Sequence, residues 1–183
     1  MKSWILAVAM FAALPPSAAQ AAIASKNTEK AAGDAIAYSL PVAALTITFL
    51  HDDDWTGVKE YSFVAAATMG TTLLIRQFVR KTSPDGSTDR SFPSIEAAVG
   101  SPAGSYLWRR YGWQYGIPAF LLEQGASFLL DRAGKHRLVD GLAVTALSAG
   151  FSWMAVTTYH KRFDYGAYTD GNGGVFVGAR MNF

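Results

Sequence analysis

Between Arg76 and Asp140 the sequence gathers the residue types that handle an oxyanion: cations at Arg76, Arg132 and Lys135, a hydroxyl at Ser94, an imidazole at His136, and carboxylates at Glu96 and Asp140. A histidine can act as a nucleophile or pass a proton, a carboxyl group held above its ordinary range can act as a general acid, and cations hold negative charge. The residues fall in two short words, Ser91-Phe92-Pro93-Ser94 and Lys135-His136-x-x-x-Asp140. A plainer reading stands beside this one. His136 and Asp140 can be a capping or hydrogen-bonded pair near the start of a helix, kept for packing.

These segments are far apart in sequence, so helices must bring them together. Apolar stretches recur at 35–50, 61–79, 95–108, 114–130 and 139–158, separated by polar or turn-forming breaks at His51 to Gly57, Ser83-Pro84-Asp85-Gly86 and Tyr111-Gly112. The expected fold is an all-α compact bundle of five to six helices. If neighbours run antiparallel, the end of helix 2, the start of helix 3 and the junction of helices 4 and 5 share one end of the bundle. The other end collects His51 to Asp54, Arg109-Arg110 and His160 to Arg162. The acidic run His51 to Asp54 reads as a turn between helices, and no metal or cofactor is expected.

The chain has 183 residues, half of them hydrophobic, which is room for one domain. Residues 1–21 read as a secretory signal peptide: Lys2, an apolar run from Trp4 to Leu14, and the small-x-small site Ala19-Gln20-Ala21. A helical domain is expected over 22–162, and a tail rich in glycine and aromatics over 163–183. Gly174 to Phe183 alternates as a short strand or extended tail does, and a single such segment does not make a barrel. The formal charge of +2 includes Lys2, which excludes a strongly basic nucleic-acid-binding face. Cysteine is absent, so an exported chain must be held by packing, a membrane or a partner. The apolar residues run nearly all round the helices, and Gly70, Thr71, Thr72, Ser148 and Gly150 are small residues of the kind that let helices approach closely. Both a tightly buried bundle and membrane-embedded helices fit that pattern. Localisation is expected in the cell envelope, at the inner membrane or in the periplasm.

Arg76 with Ser83-Pro84, then Pro93-Ser94, then His136 and Asp140 resembles the type 2 phosphatidic acid phosphatase and vanadium haloperoxidase superfamily, whose signature is KxxxxxxRP, PSGH and SRxxxxxHxxxD. The resemblance covers about residues 33–155. It implies that His136 stands at the nucleophile that forms a phosphohistidine, Asp140 at the carboxylate that orients it, and Arg76 at the phosphate-holding lysine. The departures are as informative. Ser83 stands where the first motif has arginine, Ile95 and Glu96 where the second has glycine and the acid histidine, and Leu129 and Leu130 where the third has serine and arginine.

Two lost arginine clamps remove charge-assisted contacts of roughly 1.5–3 kcal/mol each. Glu96 puts a carboxylate beside the place of a phosphate dianion, and Ile95 puts a β-branched residue where glycine allows close approach. Arg132 and Lys135 are the nearby cations expected to substitute, with Arg90 and Lys81 further candidates. The favoured expectation is a catalytically impaired or inactive phosphatase homologue that keeps a pocket for a lipid phosphate or phosphate oxyanion and has a binding or structural role in the envelope. The alternative is an active phosphatase on lipid or isoprenoid phosphates, with His136 as nucleophile and Glu96 as acid. A third expectation, independent of phosphate, is a protein partner docked through the tail at 163–183.

Overall fold

The computed structural model describes residues 26–159, 163–169 and 175–181; the expected signal peptide at 1–21 and the segment His160 to Arg162 lie outside the described residues. The described residues form five helices: α1 Lys26–His51, α2 Thr56–Phe78, α3 Ile95–Tyr111, α4 Trp113–Arg132 and α5 Leu138–Ala155. Each expected apolar stretch is helical, and two helices depart from their expected ends for tertiary reasons. α1 begins before its apolar run because Glu29, buried, pairs with Arg132 of α4 at 2.9 Å, and Lys30 pairs with Asp34 one turn on. α5 stops at Ala155 because the chain after it bonds elsewhere. Thr157 donates from N and Oγ1 to Glu60 Oε1 at 3.2 and 2.8 Å, and Tyr159 N donates to Arg110 O at 2.8 Å.

The helix ends are set by local chemistry. Ser94 opens α3 as its N-cap, its hydroxyl accepting from Ala97 N at 3.2 Å. α4 closes with paired backbone bonds, Gly134 N to Asp131 O at 2.8 Å and Lys135 N to Leu130 O at 2.9 Å. Gly134 has φ +81°, so this is a left-handed Schellman cap that only glycine adopts without strain. The cap reverses the chain just before Lys135 and His136.

α3 is the central helix and packs against all four others. Its small buried residues, Ala97, Ala98, Gly100, Ala103 and Gly104, permit that approach. A Cβ at Gly116 of α4 would lie 2.2 Å from Trp108 Cβ, which marks how closely the two helices meet at their junction. Leu40, Val64, Tyr106, Leu107 and Ala119 form the main apolar cluster. The interior is also markedly hydroxylated. Ser105, Ser148 and Ser152 are linked by bonds of 2.6 and 2.9 Å, and Glu123 accepts from Ser101 at 2.8 Å and Thr145 at 2.7 Å. Outside, large apolar side chains face away from the bundle, among them Phe49, Leu74, Phe78, Phe128, Trp153 and Met154. Two helices, over Asn27–His51 and Leu138–Ala155, are long and apolar enough to cross a membrane by length and composition.

The tail is a hairpin. Strand β1, Phe163–Thr169, pairs antiparallel with β2, Val175–Met181, with Phe163 opposite Met181 and Thr169 opposite Val175. The sequence signal for β2 was the alternation after Gly174, and Asp164 and Gly166 interrupt the same pattern in β1.

Candidate functional site

Four elements converge at one end of the bundle around a cavity of about 170 Å³. α2 contributes Arg76 from its last turn, α3 contributes Ile95 and Glu96 from its first, and the α4–α5 connection contributes Lys135 and His136. The loop at 79–94 supplies Ser87, Thr88 and Ser91 as a hydroxyl-rich wall. This is the convergence expected from antiparallel helices. The loop is held by backbone bonds to itself, including Ser83 N to Thr88 O and Ser91 N to Lys81 O, and to the α4 cap by Asp85 N to Gly134 O at 3.0 Å.

His136 is 2 % exposed and lines the cavity. Its Nδ1 lies 3.2 Å from Arg137 O. A carbonyl only accepts, so this bond places a proton on Nδ1; Nε2 then carries a lone pair in the neutral ring, able to attack, and an N–H in the imidazolium, able to donate to an oxyanion. Nε2 is buried and has no hydrogen-bond partner. Glu96 accepts from Ser94 Oγ through Oε2 at 3.1 Å. Arg76 donates from Nη1 to Pro93 O at 2.7 Å; burial draws its guanidinium below its ordinary value, Glu96 raises it again, and Arg90 lowers it further.

Lys135 reaches the cavity while its Nζ donates to Asp85 Oδ2 at 2.6 Å. That bond, with hydroxyl donors from Ser83 and Ser87, holds the Asp85 carboxyl well below the usual carboxylate range. Three sequence expectations are corrected here. Asp140 does not hold the His136 ring: Oδ2 accepts from Arg137 N at 3.1 Å and Oδ1 pairs with Lys81. A carboxylate at the third residue of α5 lies closest to the bare N–H groups of that helix start, so the capping contact wins. Arg132 is not a cavity residue, because it is drawn to the buried Glu29. Ser94 is engaged with Ala97 N and Glu96 and does not line the cavity.

The positions that depart from the phosphatase signature have structural occupations. Leu130 is fully buried in the core, where a Cβ on Gly33 would come 2.8 Å from its Cγ. Ser83 is buried and donates to Asp85 Oδ1 at 2.6 Å. No protein-family model, curated protein or solved structure matches this chain. The chemistry of the cavity is therefore read from its own side chains: one guanidinium without a carboxylate at ion-pair distance and one carboxylate without a cation at ion-pair distance among the described residues, and one imidazole nitrogen without a partner.

The Lys81–Asp140 pair and the hydroxyl wall were not assigned to the site from sequence. The signal for the wall was present in the density of Ser83, Ser87, Thr88, Ser91 and Ser94, which turn chemistry alone also explains. At the opposite end, Arg110 binds Asp52 at 2.5 Å and Glu60 at 2.8 Å, and Tyr111 donates to Asp52 Oδ1 at 2.7 Å. Burial lowers the Arg110 guanidinium, and Asp52 more than offsets this, so the net shift is upward. Asp52 is thus a structural counter-ion, and no group of three or more metal-ligating side chains occurs among the described residues.

Proposed function

We propose that the chain is an envelope protein of the phosphatidic acid phosphatase type 2 kind, in which the former catalytic pocket binds a phosphate oxyanion and turnover is impaired. The observation that carries this reading is the buried His136 Nε2, without a partner, in a cavity it shares with Arg76 and Glu96. Arg76 supports the anion with one guanidinium, and Lys135 adds a cation already shared with Asp85. The lost clamps lie at Ser83 and Leu130, one tied into the loop and the other into the core.

Chemistry at the pocket would begin with Nε2 of the neutral His136 ring attacking phosphorus as the ester oxygen leaves, and only a Glu96 in its protonated form could give that oxygen a proton. The ring that accepts this bond becomes cationic, and a carboxylate that would stabilise it is engaged instead with Lys81. Loss of two clamps and of that stabilisation compounds, so binding outlives turnover. The apolar exterior and the two helices of membrane-crossing length support association with a membrane. A second reading, an active phosphatase, is favoured by the same lone pair on Nε2.

The test is a pair of measurements on the full chain in detergent. Phosphate or vanadate binding, followed by titration calorimetry, is expected in the wild type and is lost in His136→Ala with Arg76→Ala. Hydrolysis of phosphatidic acid and of an isoprenoid pyrophosphate is expected at background. Turnover abolished by His136→Ala, with a trapped phosphohistidine, overturns impairment in favour of the active reading. Absence of oxyanion binding overturns both.

A further inference from the structure

We propose that this cavity selects a phosphate ester carrying a primary ammonium a few bonds away, of the phosphoethanolamine kind, over a bare phosphate; the proposal rests on the oxyanion reading above. The starting point is the charge that the cavity presents. Arg76 donates to a backbone carbonyl, Pro93 O, and makes no ion pair within 4 Å among the described residues. Lys135 is already neutralised by Asp85. Glu96 receives a single hydroxyl bond from Ser94 at one oxygen, and no cation lies at ion-pair distance from it among the described residues. The wall therefore offers one positive and one negative charge that attract each other through space without an ion-pair contact, leaving both with contacts to give a ligand. A phosphate dianion satisfies the first and is repelled by the second. A zwitterion with an anionic and a cationic end satisfies both.

Two of the wall hydroxyls add acceptors to the one that Glu96 supplies. Ser87 Oγ donates to Asp85 Oδ1 at 2.7 Å, and Ser91 Oγ donates to Lys81 O at 3.0 Å. Their protons are committed to the protein, which leaves lone pairs as the capacity they offer a ligand. Three acceptor-type groups, Glu96, Ser87 and Ser91, thus line the same cavity as Arg76 and His136, and Thr88 Oγ1, which accepts from Arg90 N at 3.2 Å, keeps its own proton for the anionic end. A primary ammonium has three donors for such a set. A quaternary ammonium has none and binds through the faces of Trp, Tyr or Phe, and none of these lines this cavity among the described residues.

The experiment titrates the full chain in detergent with O-phosphoethanolamine, inorganic phosphate and phosphocholine, read by calorimetry and by ³¹P line broadening. The wild type is expected to bind phosphoethanolamine about tenfold more tightly than either comparator, the value of one charge-assisted contact. Glu96→Gln is expected to bring the three affinities together. Equal or tighter binding of bare phosphate by the wild type, or a ratio unchanged in Glu96→Gln, overturns the ammonium proposal and leaves the oxyanion reading standing. Failure of all three ligands to bind overturns the oxyanion reading itself. The wild-type series alone decides the matter if Glu96→Gln does not fold. Vesicles of phosphatidylethanolamine and of phosphatidylcholine separate the sources: preferential binding to the first assigns a lipid headgroup, and binding of the free ester alone assigns a soluble ligand, both of which support the shared chemistry.

Discussion

A buried imidazole with one nitrogen bonded and the other without a partner costs about 1–3 kcal/mol, so His136 Nε2 is a local expense that a ligand would relieve. The neighbouring charges are arranged to spare the ring instead of driving it. Asp140 is fully buried and relies on Lys81, whose side chain is one-third exposed. Lys81→Met is expected to cost about 3 kcal/mol by leaving that carboxylate without its cation, measured by chemical denaturation, and Asp140→Asn in the same chain is expected to recover part of it. Asp85 gives a pH signature. Its carboxyl is depressed in the folded state, so its contribution is complete above the unfolded value of about 4 and is lost as pH falls through the lower folded value. The difference in thermal midpoint between wild type and Asp85→Asn is expected to stay constant from pH 7 to about pH 4 and to shrink below it. A difference that shrinks between pH 7 and 5 would assign the effect to another group. At this scale Arg76, Glu96 and His136 were legible from residue type and spacing. Arg132 and Asp140 were not, because a charge goes to its nearest buried counter-charge or bare N–H, and sequence separation does not reveal which that is.

At the scale of elements, the site depends on the turn between α4 and α5. Gly134 at φ +81° reverses the chain, accepts Asp85 N on its carbonyl, and sends Lys135 and His136 to the cavity wall. Gly134→Ala is expected to cost about 1–2 kcal/mol from the left-handed backbone alone. A Cβ there would also come 3.2 Å from Asp85 Cβ, so the same variant is expected to weaken oxyanion binding more than its stability loss accounts for. Stability from denaturation and affinity from calorimetry, measured side by side, check this; an affinity unchanged in the folded variant would detach the turn from the site. The five helices were legible because long apolar stretches with turn chemistry between them leave few alternatives. Their ends were less so. α1 gains its polar first turns from Glu29 meeting Arg132, and α5 loses its last residues to Glu60 and Arg110, contacts made only after the helices pack.

Across the whole molecule the two ends have different tasks. One end holds the cavity, and the other is locked by Arg110 between Asp52 and Glu60, with Thr157 O accepting from Arg110 Nη1 at 3.2 Å. Arg110→Met leaves two carboxylates, one of them nearly inaccessible, without their cation, and is expected to cost about 3–5 kcal/mol. Oxyanion affinity per folded molecule is expected to be unchanged, because the lock is at the far end of the bundle. A large affinity loss in folded Arg110→Met would mean that the ends are coupled. Taken by itself, the sequence determined the helix count, the antiparallel order and the meeting of Arg76, Glu96 and His136, since apolar length and chain connectivity admit little else. Tertiary structure decided what each charge does. Asp140 turned from the imidazole to a helix start and Lys81, Arg132 turned to Glu29, and the loop hydroxyls turned their protons inward, because burial makes every charge and donor find the partner closest in space.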